Sequence, residues 1–375
     1  MKYALSLLLV AALCALAPGL NAAPGTDFYI ATVPVPDHSE KARLAAARQG
    51  LGEVLVKLTG TSGVATRPEV AAMLRRVSSY MLEYSYATLP GDGGGPDRLA
   101  VRVRFDRAGV DSFLRSNQLP IWPLNRPRLL VWLVEDGPGG VSRFVTGEEA
   151  GPLVASLDRG FARRGMPVVY PLLDLQDQLV LDSRQARDFD DKAIAEASAR
   201  YPAQGWLVLR YYQTSDGAWR SAWMMGRDGQ TLLRQQQADS LDNLLAAVVD
   251  QVVDTVAANS SYVAQGRGEV VALDVDGITS FGDYNRLADL LAELSMVRDV
   301  QITGVDGRRL YLSLAIEGGR DQLLDSLHRH PALELVASAG PGTVMSDDQI
   351  LAGEAIHRAT PRAGAPERLR WVGGR

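Results

Sequence analysis

GEVVALDVDGITSFGDYNRLADLLAELSMVRDVQITGVDGRRLYLSLAIEGGRDQLLDSLHRHPALELV, residues 268–336, carries the clearest fold signal in the chain. Val271, Leu273 and Val275 alternate as a strand. Ser280, with Asp283 three residues on, forms a capping pair at the start of a helix. Tyr284, Leu287, Leu291 and Leu294 then recur at three- and four-residue steps along one helix face. Val300 and Ile302 lie in a second strand, and Asp306-Gly307 is a hairpin turn. Leu310, Leu312, Leu314 and Ile316 alternate in a third strand. Leu323, Leu324 and Leu327 mark a second helix, and Leu333–Val336 returns as a fourth strand. The order β-α-β-β-α-β is the ferredoxin-like split motif. The tail over 338–375 is rich in Gly, Ala and Pro and is expected to be disordered.

Upstream, residues 126–263 read as an α/β module with an antiparallel meander. RPRLLVWLVED (126–136) is an almost continuous apolar run, as in a strand buried on both faces. GWLVLRYYQ (205–213), WRSAWMM (219–225) and QTLLRQQQ (230–237) follow, with turns at Gly217 and Asp228-Gly229. Ser240 opens a helix with Leu241, Leu244, Leu245, Val248, Val252 and Val256 on one stripe. Residues 24–120 form an N-terminal α+β module of order β-α-α-β-β-α. Its first helix contains Gly50 and Gly52, each costing roughly 1 kcal/mol relative to alanine. Close packing against a sheet is the expected reason for both. The fold class is therefore α+β / α/β, with three small modules in series.

The chain opens with Lys2, an apolar run from Ala4 to Leu13, a break at Pro18-Gly19 and small residues at Ala22 and Ala23. Residues 1–22 are expected to be a signal peptide cleaved after about Ala22, placing the protein in a bacterial periplasm. The run is short of the roughly 20 residues that cross a bilayer. Cys14 follows it, but Leu13 stands where a lipoprotein signal wants a small residue, so a lipoprotein is not expected. Cys14 is the one cysteine. Its loss on cleavage excludes disulfides, zinc–thiolate sites, iron–sulfur clusters and cysteine nucleophiles. The net charge of −5 gives no electrostatic support to nucleic-acid binding. No other segment is long and apolar enough to span a membrane: Asp250 and Asp254 interrupt the nearest candidate, 244–258.

Candidate chemistry is sparse. His38, His328, His330 and His357 show no metal-ligand spacing, and the last helix places His328 and His330 at its solvated end. Asp188, Asp190 and Asp191, with Asp174 and Asp177 behind them, could bind a cation or act as acid and base, but a polar helix start and loop is the favoured reading. Asp274-x-Asp276-Gly277 resembles the opening of a calcium loop and lacks its later ligands. No phosphate-binding or dinucleotide-binding glycine motif is present. Tryptophan is concentrated around the middle module at Trp122, Trp132, Trp206, Trp219 and Trp223, beside Tyr211 and Tyr212. Tyr212, Trp219 and Trp223 are the candidate partner surface, with core filling as the competing explanation. Trp219 and Trp223, four apart, share one sheet face.

The strings FYIATVPVPDHSEKARLAAARQGLGEVLVKLTG (28–60), IWPLNRPRLLVWLVED (121–136) and GWLVLRYYQTSDGAWRSAWMM (205–225) together resemble the domain of unknown function 2066 family, over residues 24–336. That resemblance implies an envelope location in gammaproteobacteria and supplies no catalytic residues. The middle module is also similar in layout to the N-terminal domain of TolB, and to outer-membrane lipoproteins that activate penicillin-binding proteins. The resulting expectation is a non-enzymatic periplasmic adaptor or scaffold without cofactor, partnered by other envelope proteins. A hydrolase using Asp188–Asp191 and an envelope-polymer or small-ligand binder using the tryptophan-rich module are the alternatives.

Overall fold

The computed structural model describes residues 27–91, 95–137, 140–145, 147–264, 268–336 and 366–373. The expected signal peptide therefore lies outside the described residues. The mixture of helices and sheets is α+β, as expected.

In the first module, β1 (Ile30–Pro34) and β2 (Met81–Leu89) flank β3 (Arg98–Phe105) in an antiparallel sheet. Helix α1 (Glu40–Thr59) lies on one face of this sheet. Ser39 caps its start by accepting the Ala42 N–H, and Gly60 ends it at φ 69°. Ala47, Leu51, Val54, Leu55 and Leu58 are its buried stripe. Gly50 faces the sheet: a Cβ there would stand 2.9 Å from the Ala31 Cβ. Helix α2 (Pro68–Arg75) and α3 (Arg107–Ser116) complete the module. The two-residue β4 (Pro120–Ile121) leads out of it.

The middle sheet is built on β5 (Leu129–Asp136), buried on both faces from Leu129 to Val134. One edge of β5 takes β6 (Ser142–Phe144) and β7 (Val168–Val169) at opposite ends. The other edge pairs in parallel with β8 (Gly205–Gln213), followed by β9 (Trp219–Arg227) and β10 (Gln230–Ala238) as the predicted meander. Helices α4 (Gly147–Arg164) and α8 (Leu241–Ser260) cover one face. Three short helices, α5 (Leu175–Val180), α6 (Ser183–Arg187) and α7 (Asp191–Ser198), cover part of the other.

The last module has β12 (Glu269–Asp276), α9 (Phe281–Glu293), β13 (Val297–Asp306), β14 (Arg309–Ile316), α10 (Arg320–His328) and β15 (Leu333–Leu335) in the expected order. Its sheet, however, runs β13-β14-β12-β16-β15. The extra strand β16 (Glu367–Trp371) comes from the tail expected to be disordered, which is a correction for those residues. It runs parallel to β12 and antiparallel to β15, so it separates the two strands that a four-stranded ferredoxin-like sheet would pair. Alternation explains why it stays: Leu369 and Trp371 enter the core while Arg368 and Arg370 point out. Glu367 pairs with Arg320, and the Trp371 indole N–H donates to Asp283 at 3.2 Å.

The modules are packed on one another. The apolar cores of the first and third are continuous through Leu119, Ile121 and Tyr262. There β11 (Tyr262–Val263) pairs with β4. Between the first and middle modules two arginines are buried. Arg126 lies 3.8 Å from the Trp122 ring centroid and 4.3 Å from that of Phe28. It donates to the carbonyls of Pro123, Lys57, Arg164 and Gly165. Burial, then the neighbouring Arg164, pushes its pKa down to about 9, which leaves it cationic at neutral pH. Arg164 bonds Asp250 at 2.6 Å, Asp254 at 2.5 Å and the Gly60 carbonyl at 2.9 Å.

Candidate strand-acceptor site

Among the described residues, the sheets of the three modules end in three edge strands of nine or ten residues, β2, β10 and β13. An edge presents a row of backbone donors and acceptors to any extended chain, and proteins usually blunt it with bulges and charges. The register of β2 breaks between Met81 and Glu83. That of β13 breaks twice, at Val297/Asp299 and Ile302/Gly304, and the strand carries Arg298, Asp299 and Asp306. By contrast β10 pairs with β9 through nine consecutive residues without a shift. Its one charged residue is Arg234, and it contains no proline. It is the least defended of the three.

Concavities adjoin this edge on both faces of the sheet. On the α8 face, a cavity of about 570 Å³ is lined by Met225, Leu232, Val256, Asn259 and Asp325. On the opposite face, α5–α7 stop short of β10. A cavity of about 480 Å³ opens there among Phe189, Arg210, Tyr212, Arg220 and Leu233. Leu233 is 46% exposed. A further cavity of about 400 Å³, near the start of β10, holds Lys192, Trp206, Asp228 and Thr231. Gly226 forms its floor because the Trp206 indole lies across it; a Cβ would stand 2.2 Å from the ring. A free edge flanked by recesses on alternate faces is what strand addition needs. Main-chain bonds supply affinity, and the recesses receive alternate side chains.

The predicted surface residues separate here. Tyr212 is half-buried and lines the cavity beside Leu233. Trp223, at 0% exposure, is core under α8, and Trp219 is half-buried against the same core. The two tryptophans share one sheet face as expected, but it is the covered face, which removes Trp223 from any partner surface. Trp122, Trp132 and Trp206 are buried too. Burial, then the nearby Glu135, pushes the Tyr211 hydroxyl up to about 12.

The five carboxylates form no single group: Asp174 and Asp177 share Arg200, apart from Asp188, Asp190 and Asp191. Asp190 caps α7 by accepting the Ala193 N–H at 3.1 Å, Asp182 closes a capping box on α6, and Asp188 is exposed. Asp174 pairs with Arg200, whose hydrogen bond holds the carboxyl down at about 2. Asp177 is buried, accepting from Arg200, the Tyr201 hydroxyl and the Leu173 N–H. Asp274 is buried beside Arg309 and Arg368, which answers its calcium-loop resemblance. His328 is exposed, and His330 accepts the Ala332 N–H. Among the described residues no group of three or more His, Cys, Asp or Glu could hold a metal ion. Nor is any described helix long and apolar enough to cross a membrane. Leu233 and the β10 edge were not singled out from the sequence, because a meander pattern does not say which strand ends the sheet.

Residues 22–123 match the domain of unknown function DUF8605. That match overturns the resemblance to the 2066 family. No curated protein matches the chain. Similar solved structures include the LpoB C-terminal domain from Salmonella enterica, at 16% identity and TM-score 0.21, covering 30% of this chain and 83% of that one. Lipoprotein GNA1162 from Neisseria meningitidis is 14% identical with TM-score 0.22, covering 35% of this chain and 96% of that one. These stand in place of the expected TolB N-terminal domain.

Proposed function

We propose that the protein is a non-enzymatic adaptor of the bacterial periplasm that binds an extended segment of another envelope protein along β10. The carrying observation is the unbroken nine-residue edge with recesses on both of its faces. Export rests on the pattern of residues 1–22. Of the carboxylates in the hydrolase alternative, Asp190 serves as a helix cap, Asp188 is exposed beside Arg187, and Asp191 lines the cavity near the start of β10. The polymer-binding alternative loses Trp223 to the core.

The test is site-specific photocrosslinking in cells, with the probe at position 233 in one strain and at Tyr212 in another. A discrete adduct with the same partner is expected from both. Gln235→Pro should abolish it by spoiling the edge while leaving the thermal midpoint within a few degrees. No adduct at either position, or one that Gln235→Pro leaves intact, would refute the strand-addition reading.

A further inference from the structure

Charge is spread unevenly along β10, and the unevenness describes the segment that this edge accepts. Because its nine pairs with β9 run without a shift, the side chains of β10 alternate strictly between two faces. Leu232, Gln236 and Ala238 point toward α8: Leu232 and Ala238 pack on the core there, and the Gln236 amide donates to the Ala247 carbonyl. Arg234 shares that face by alternation. Leu233, Gln235 and Gln237 point to the other face, where the rows Leu233–Met224–Val208 and Gln237–Arg220–Tyr212 cross the sheet.

Most charges near the edge are balanced. Arg227 pairs with Asp228 and Asp325, Arg329 also holds Asp325, and Arg210 holds Asp136 at 2.5 Å. Three are left over. Asp321, Arg234 and Arg220 are exposed and form no ion pair among the described residues. Arg234 donates only to the carbonyl of its neighbour Leu233, at 3.0 Å. Arg220 has only a weak hold on Asp216 in the preceding turn, whose carboxyl is kept low first by the Thr214 hydroxyl.

The three follow the strand in order. Asp321 stands in the recess beside Gln230 and Leu232. Arg234 is at mid-strand, and Arg220 lies in the row of Gln237. The edge therefore runs from acid at its start to base over its second half, with exposed Leu233 between. Opposite charges facing each other across two strands attract and like charges repel, and such pairs choose a partner more than they tighten it. We propose that the segment bound along β10 is dipolar: basic beside Gln230 and Leu232, apolar opposite Leu233, and acidic opposite Arg234 and Gln237. This rests on the strand-addition reading and adds the partner's chemistry to it. A second copy of the chain fits less well, since antiparallel overlap of all nine residues sets the two Arg234 side chains directly against each other.

Fluorescence polarisation with the mature protein tests this, using labelled nonapeptides blocked at both ends. KTVLETVET carries the pattern for parallel pairing and TEVTELVTK for antiparallel pairing; in the control for each, lysine and glutamate are exchanged. The controls are net cationic and the protein is net anionic, so bulk attraction works against the expected result. One patterned peptide should bind about tenfold tighter than its control, and the difference should shrink at high salt. Arg220→Glu, Arg234→Glu and Asp321→Lys together should invert the preference, with an unchanged far-ultraviolet spectrum because all three positions are exposed. Equal binding of peptide and control that Gln235→Pro abolishes overturns the dipolar pattern and leaves strand addition standing. Binding that Gln235→Pro leaves intact overturns both. No binding by either patterned peptide overturns the pattern alone where the crosslinked adduct forms, and both where it does not. A wild type that sediments as a dimer, broken by Gln235→Pro, makes a second copy the occupant and overturns the pattern too.

Discussion

Asp283 is the residue from which β16 hangs. Its carboxylate accepts from the Thr279 N–H and hydroxyl, the Ser280 hydroxyl, Arg286 and the Trp371 indole. The Thr279 hydroxyl, then Arg286 and Ser280, hold it far below the ordinary carboxylate range. A carboxyl depressed in the folded state stabilises the fold above its unfolded value of about 3.9, and that contribution fades as pH falls toward the folded value. Asp283→Asn should therefore lower the melting temperature at pH 7, with the gap to wild type narrowing below about pH 4. Melts across that range decide it; a gap independent of pH would refute the assignment. The sequence revealed the Ser280–Asp283 pair because both lie in one turn. It could not reveal Trp371, whose approach depends on the sheet. Arg164 was equally silent: nothing local marks an arginine that the Gly60 carbonyl, Asp250 and Asp254 draw into the interior. Arg164→Met should cost about 2 kcal/mol in urea unfolding, since the carbonyl is left unpaired while the two half-exposed carboxylates rehydrate.

Periodicity read most elements to within a few residues, because three- and four-step stripes and strict alternation report which side is buried. It could not rank two glycines in the same helix. Gly50 and Gly52 look alike in sequence and differ in surroundings: a Cβ at Gly52 would meet no atom within 4 Å. Gly52→Ala should stabilise by about 1 kcal/mol, the helix-propensity difference. Gly50→Ala should destabilise, since its Cβ would stand 2.9 Å from that of Ala31. Chemical denaturation of both variants separates the cases, and equal shifts would contradict them. The expected tryptophan surface includes a buried residue, Trp223, for a related reason. Alternation put Trp219 and Trp223 on one face, but only α8 decides that this face is covered. At β10 the converse holds: QTLLRQQQ reads as a strand, and its position at the edge emerges only from sheet order.

At the scale of the whole molecule, composition misled at the C-terminus. Gly, Ala and Pro dominate the tail, and Glu367–Trp371 is too short to declare itself without the slot that receives it. Trp371→Ala should cost about 3 kcal/mol, in the range for a large buried aromatic. Hydrogen exchange should locate that loss in β12 and β15 and leave β5 and β8 protected. Uniform loss across the chain would mean that the modules unfold as one unit, coupled through the continuous first and third cores. The same strand also sets a clock. The first sheet has all its strands by Phe105 and the middle sheet by Ala238. The last sheet waits for Trp371, 35 residues beyond Val336. A polypeptide delivered N-terminus first must therefore finish its assembly late, with the margin of β12 bare while residues 337–365 are still arriving, and that interval is when a chaperone would find it.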